Sequence, residues 1–274
     1  MNKSVFITIV VTLSILFTLP SNTKENHTVA VIGTGKMGSA LGINLAKANH
    51  TVIYGSRDPS QEKVLNLVEE TGDKATAMTQ KLAAEKADII ILAVPWFAVE
   101  QLIPTLGDLS GKVIIDITTG DKQGDDGYPE LAVETSTSEM IQLWAPKARI
   151  VKTPFAGAST VRNPLKYGEP VVTYLAADDK EAKELVARLA IDLNFFPLGA
   201  GPLRMAKTLD HLGLLYLTPM IQGRKFIYRT PNTPRMDTTF SCRSMEGWFK
   251  PVKDADNLAD FPNLNNPDLK CPEK

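Results

Sequence analysis

From His27 onward, short apolar runs alternate with amphipathic stretches, and this alternation sets the fold class. Thr28–Ile32, Thr51–Tyr54, Asp88–Val94 and Lys112–Ile117 read as strands. After its aspartate, Asp88–Val94 is entirely Ile, Leu, Ala and Val, the composition of a strand covered on both faces. Lys36–Ala48, Ser60–Thr71 and Phe97–Leu106 repeat their apolar positions at helical spacing. Farther along, Arg149–Lys152 and Val171–Leu175 are strand-like and Asp179–Leu193 is helical. Leu203–Arg229 carries a long apolar pattern interrupted at Pro219. Strands alternating with helices predict an α/β protein built on a doubly wound parallel sheet, with added C-terminal strands and helices.

The two ends follow different patterns. Lys3 precedes a mostly apolar run from Val5 to Leu19, and Pro20 and a polar stretch come next. This is the layout of a secretory signal peptide, too short to span a membrane comfortably. Ser21-Asn22-Thr23 is a poor cleavage site, so the segment reads either as a cleaved signal or as an N-terminal anchor giving membrane association. Export to the periplasm or another extracytoplasmic space is the expectation. At the other end, residues 230–274 contain six prolines among Asn and Asp and should be mostly loop. Phe240, Trp248, Phe249 and Phe261 are expected to pack on the body. Both cysteines, Cys242 and Cys271, lie in this tail, and in an oxidising compartment they suggest one disulfide. Three regions result: a leader or anchor over 1–23, a domain over 27–229 and a tail over 230–274.

Composition removes several functional classes. Thirty basic residues against thirty-one acidic leave a net charge of −1, without the basic surplus of a nucleic-acid binder. Two cysteines and three histidines cannot build a zinc ribbon or an iron–sulfur cluster, so no metal site is expected.

The strongest chemical signal is Gly33-Thr34-Gly35-Lys36-Met37-Gly38, which closes a predicted strand and opens a predicted helix. The first glycine permits a tight turn, the second lets backbone approach a pyrophosphate, and the third allows the helix to pack on the strand. The helix N-terminus then offers N–H groups to phosphate. At the end of the second strand, where NAD sites usually place an acid, the chain reads Tyr54-Gly55-Ser56-Arg57, with no carboxylate until Asp58. A hydroxyl followed by a guanidinium suits a 2′-phosphate, and Lys63 adds a second positive charge. NADP(H) is therefore expected over NAD.

These residues carry a family resemblance. The strand–glycine turn–helix, the Gly55-Ser56-Arg57 segment, Val94-Pro95-Trp96 and the later Gly199-Ala200-Gly201-Pro202-Leu203 resemble the NADPH:coenzyme F₄₂₀ (deazaflavin) oxidoreductases. The same domain resembles the reductase part of the six-transmembrane ferric reductases and, more distantly, pyrroline-5-carboxylate reductases. The resemblance implies a Rossmann-like domain. It also implies that Thr34, Gly35, Lys36 and Met37 line the pyrophosphate turn, that Ser56 and Arg57 hold the 2′-phosphate, and that Pro95 and Trp96 border the nicotinamide. Trp96 reads equally as a core anchor of the helix that follows. Asp116-Ile117-Thr118-Thr119-Gly120 and Lys152-Thr153-Pro154-Phe155 depart from the family pattern at positions that would face the second substrate.

The expected partner is a small-molecule hydride or electron acceptor: a flavin, a deazaflavin or chelated iron. No His–carboxylate pair is evident, consistent with a hydride transfer that depends on stacking and water exclusion, and no catalytic residue is assigned. His50 and His211 are expected to be structural. A homodimer is compatible with this reading. The rival is an exported nucleotide-binding module, a sensor or assembly partner, that binds without turnover.

Overall fold

The computed structural model describes residues 25–155, 157–166 and 170–222. The leader and the tail, with Cys242, Cys271 and the tail aromatics, lie outside the described residues.

Among the described residues, ten strands and eight α-helices follow in the order β1 (Thr28–Ile32), α1 (Lys36–Lys47), β2 (Thr51–Ser56), α2 (Glu62–Thr71), β3 (Ala75–Thr79), α3 (Gln80–Lys86), β4 (Ile89–Leu92), α4 (Val99–Leu102), β5 (Val113–Asp116), β6 (Asp121–Gln123), β7 (Pro129–Leu131), α5 (Thr137–Trp144), β8 (Arg149–Lys152), α6 (Gly157–Arg162), β9 (Val171–Ala176), α7 (Lys180–Asp192), β10 (Phe195–Gly201) and α8 (Ala206–Ile221). Eight strands form one sheet in the order β10-β9-β8-β5-β4-β1-β2-β3, while β6 and β7 form a separate antiparallel hairpin. The expected doubly wound sheet is present, with its topological switch between β1 and β4. The added C-terminal strands are β9 and β10, which pair parallel to each other. They join the rest of the sheet through a single antiparallel bridge, Lys152 to Ala176.

The all-apolar strands place a core on each face. One face packs β1, β4 and β5 against α1 and α7. The other packs them against α3, α4 and α5. Capping residues set several helix starts. The Ser136 hydroxyl accepts from the Glu139 N–H at 3.1 Å, capping α5, and donates to the Glu139 carboxylate at 2.7 Å. Asp179 caps α7 through the Ala182 N–H and also accepts two hydrogen bonds from Arg149 of β8.

The expected helix over 97–106 is broken into 3₁₀ turns around a single α-turn. Pro104 has no N–H to extend the ladder. The apolar pattern from Leu203 yields a helix only from Ala206, which continues past Pro219 to Ile221. His50 is buried, as a structural histidine should be. Its Nδ1 accepts the His27 N–H at 3.2 Å, so Nε2 carries the proton toward Asp192 at 3.0 Å. His211 is exposed, its Nδ1 lying 2.8 Å from the Lys207 carbonyl.

Tyr54 shows how tightly α1 meets the sheet. It is fully buried, its hydroxyl 2.8 Å from Thr71 Oγ1, and its ring fills the space beside Gly42 where a Cβ would lie 2.5 Å from two ring carbons. Burial pushes its phenol up to about 12 from 10.0. The folded state therefore holds this proton more tightly than the unfolded chain, so the contribution is complete below pH ~10 and is lost as pH rises toward ~12. Over that window the wild type should lose about 2 kcal/mol relative to a Tyr54→Phe variant, as read by urea unfolding at several alkaline pH values. Parallel pH curves for the two proteins would show that folding does not raise the Tyr54 phenol.

Candidate functional site

The carboxyl ends of β1, β2 and β4 are tied together before any ligand is considered. The Gly33 N–H donates to the Gly55 carbonyl at 3.0 Å, and the Ala93 N–H donates to the Ile32 carbonyl at 2.9 Å. Gly33 has φ +114° and sits where a Cβ would run into the carbonyl of Ala93. Gly38 faces the Gly33 carbonyl in the same way, so α1 closes onto the turn only with glycine at that position. Gly35 is different. A Cβ there would meet nothing within 4 Å, which leaves room at the start of α1 for a group as large as a pyrophosphate. Gly35 is the N-cap of α1 and no side chain caps the helix, so its first N–H groups face this space.

This space belongs to a cleft of about 830 Å³. Gly33, Thr34 and Gly35 form one wall, Ser56, Arg57 and Lys63 another, and Val94 and Pro95 a third. The structure thus gathers eight of the residues singled out in the sequence around one cavity. The other four are placed elsewhere. Lys36 is exposed on α1, Met37 packs against the core, and Gly38 is buried under the turn. Trp96 packs into the second core and stacks on Trp144, with ring centroids 5.6 Å apart, so its position is that of the core anchor.

Local chemistry on the β2 wall is specific. Ser56 is nearly buried. Its hydroxyl donates to the Asp58 carbonyl at 3.0 Å and lies 3.3 Å from the Asp58 N–H, shaping the turn that presents Arg57. Arg57 and Lys63 are both exposed toward the cavity. The one acid on this wall, Asp58, accepts the Ser60 hydroxyl at 2.6 Å and the Ser60 N–H at 3.0 Å. These bonds hold its carboxyl below the usual range and turn it onto its own loop. Two cations beside a carboxylate engaged within its own loop suit this wall chemically to a phosphate better than to a ribose diol.

The cleft also contains residues that the sequence reading passed over. Gln80 at the start of α3 and Phe97, Gln101 and Thr105 on the segment after β4 line its far side. Phe97 is 85% exposed, an unusual position for a phenylalanine and one suited to covering a flat base. Its neighbour Trp96 obscured it, since both fall in one apolar run. Beside the cleft, Asp116 and Lys152, from the two segments that the resemblance set facing the second substrate, are fully buried against Asp210, which the sequence did not single out. Asp116 and Lys152 end their strands as register partners, an opposite-charge pair that strand alignment alone could have suggested.

Comparison with known proteins agrees with this geometry. Residues 28–120 match the family model for NADP oxidoreductase, coenzyme F420-dependent. The F420-dependent NADP reductase of Methanothermobacter marburgensis is 39% identical over 100 residues, covering 33% of this chain and 43% of that protein. Mouse metalloreductase STEAP2 is 28% identical over 195 residues, 70% of this chain and 37% of the relative. The chain therefore spans less than half the length of these curated relatives. A crystal structure of a candidate F420-dependent NADP-reductase from Arthrobacter sp. FB24 superposes with a TM-score of 0.63 at 25% identity, covering 69% of this chain and 91% of that one. The glycine turn, the cation-bearing end of β2 and the β4 loop all fall inside the matched segment, so residues 28–120 are similar to the coenzyme F420-dependent NADP oxidoreductases in the part of the chain that forms the cleft.

Proposed function

We propose that this chain binds NADP(H) in the cleft and passes hydride between it and a flat redox acceptor, a flavin or a deazaflavin, with two chelated ferric ions, each taking one electron from a reduced flavin that releases its protons to solvent, as a further terminal acceptor. The observation that carries the reading is the pairing, within one cavity, of an open glycine turn with Arg57 and Lys63, where the only acid is turned onto its own loop. The open space at Gly35 fits the pyrophosphate, Arg57 and Lys63 fit the 2′-phosphate, and Phe97 with Gln80, Gln101 and Thr105 fits the adenine. When bound, NADPH supplies a hydride from its dihydronicotinamide ring. The chain's own residues bind and orient: Gly33 fixes the turn, Arg57 sets nucleotide choice, and Val94 and Pro95 wall the cleft on the side that leads to β5. Reduction of a flavin-type ring takes one hydride and one solvent proton, so no general acid on the protein is needed to balance it.

Arg57→Ala tests the nucleotide assignment. Hydrogen bonds to charged groups contribute about 1.5–3 kcal/mol. Arg57 is exposed, so the lower end applies and NADPH affinity should fall about tenfold, while NADH affinity stays within a factor of about two. Fluorescence titration of both nucleotides reads the difference. Equal losses for NADPH and NADH would place Arg57 on the shared phosphates. Turnover is tested by following NADPH oxidation with flavin mononucleotide, an 8-hydroxy-5-deazaflavin and a ferric chelate. Binding without oxidation in all three would favour the sensor reading.

A further inference from the structure

Outside the nucleotide cleft, the β6–β7 hairpin and the last turns of α8 enclose a groove of about 400 Å³. Asp121, Lys122, Gln123 and Pro129 line it from the hairpin, and Leu217 and Ile221 line it from the helix. Leu217 and Ile221 stand at i and i+4 on α8, so they share one face. Ile221 is 52% exposed, a large aliphatic side chain that nothing among the described residues covers. The described residues end at Gln222, whose side-chain amide donates to the Tyr128 hydroxyl at 3.4 Å. The chain therefore leaves α8 against the hairpin, at the mouth of the groove.

The charge around this groove is one-sided. From Asp121 to Glu130 the hairpin carries four acids, Asp121, Asp125, Asp126 and Glu130, against the single cation Lys122. Lys122 pairs with Glu130 at 2.9 Å, and the Asp126 carboxylate accepts the Tyr128 N–H at 3.0 Å. Asp121 and Asp125 are exposed. The helix does nothing to offset them, because no residue from Leu212 to Gln222 is charged. The sequence that follows has the opposite character. Gly223-Arg224-Lys225-Phe226-Ile227-Tyr228-Arg229-Thr230-Pro231-Asn232-Thr233-Pro234-Arg235 contains four cations and no acid, with three large apolar or aromatic side chains set among the cations. An extended chain advances at most about 3.3–3.6 Å per residue, so Phe226–Tyr228 stay within about 25 Å of Ile221.

We propose that this groove is the docking site of the chain's own segment 223–235, with Phe226–Tyr228 against Leu217, Ile221 and Pro129 and the flanking cations against the acidic hairpin. Continuity favours this occupant. The segment begins one residue after Gln222, so docking is intramolecular and loses only the entropy of closing a short loop. Charge favours it as well. An apolar floor with an acidic edge matches an apolar centre with basic flanks. Pairing the grooves of two copies face to face would instead set one acidic hairpin against another, which like charges oppose. Docking fastens the far end of the helix that carries Asp210, and it does so whether or not nucleotide is bound.

Limited trypsin digestion of the full chain tests this at the bond after Arg229. A docked bond is cut only when the segment lifts off, so the rate follows the undocked population, and tethering alone gives no protection. The paired variant Asp121→Asn, Asp125→Asn removes two exposed charges from the hairpin, and Phe226→Ser removes the apolar centre of the segment. Each should be cut after Arg229 about tenfold faster than the wild type, with an unchanged far-ultraviolet circular dichroism spectrum. Either variant cut at the wild-type rate would overturn the proposal, the first by removing the role of charge and the second by leaving the groove unfilled. Protection that grows with protein concentration would place a second copy's segment in the groove and would overturn it too. No arm of this test uses nucleotide or turnover, so its result is independent of the oxidoreductase reading.

Discussion

Lys152→Met should destabilise the protein by about 3–5 kcal/mol, the range for removing one partner of a buried ion pair. The substituted side chain is nearly the same length, so little cavity forms and the loss is electrostatic. Asp116 and Asp210 would face each other without the cation between them, and the Thr118 carbonyl and Thr137 hydroxyl would each lose a donor. Urea unfolding of the two proteins at neutral pH measures the difference. Acidification should recover part of it, because protonating the two carboxyls removes their repulsion. A loss below about 1 kcal/mol would mean that water reaches the cluster and solvates it. The triple replacement Lys152→Met, Asp116→Asn, Asp210→Asn should recover more stability than any single change, since it leaves no unpaired charge.

Two glycines of the turn should separate stability from binding. Gly33→Ala should lower stability by about 2–5 kcal/mol: about 1–2 from forcing an L side chain into a positive-φ conformation, and the remainder from overpacking against the Ala93 carbonyl. Gly35→Ala should leave unfolding nearly unchanged, because its backbone is in the extended region at φ −79° and its Cβ would enter open space. That space is where a pyrophosphate would lie, so the same substitution should weaken NADPH binding by tenfold or more. Chemical denaturation and nucleotide titration on both variants form the test. If Gly35→Ala binds NADPH normally, the pyrophosphate does not approach this turn.

The layers of this fold were legible in the sequence because they rest on period and composition. Ile89–Leu92 is an unbroken aliphatic strand, and α7 keeps its apolar residues on one stripe, so both survive any reading of the pattern. The edge elements were not legible. β3 is Ala-Thr-Ala-Met-Thr, with only its first residue buried, and α3 is seven residues long, so neither offers a period to count. The β6–β7 hairpin, Asp-Lys-Gln against Pro-Glu-Leu, has no apolar face of its own. In the site, glycines and cations could be placed by motif because a turn and a phosphate each demand a residue type. Phe97 and the Asp116–Lys152–Asp210 cluster could not, since their meaning comes from neighbours up to 94 positions apart in the chain.

The seam between β8 and β9 sets the order in which the protein should come apart. One bridge, Lys152 to Ala176, joins two strand groups that are otherwise continuous ladders, and the polar fastenings across it include the Arg149–Asp179 ion pair and the buried Thr173 hydroxyl, 2.9 Å from Thr153 Oγ1 and donating to the Pro154 carbonyl at 3.2 Å. Backbone amides of β9, α7 and β10 should therefore exchange with solvent deuterium as one cooperative group, faster than those of β1, β4 and β5. α8 follows β10 after one 3₁₀ turn but packs on α5 and β7, so Asp210 should stay on its buried lysine while that group opens. The nucleotide half of the molecule then keeps its shape while the far half breathes.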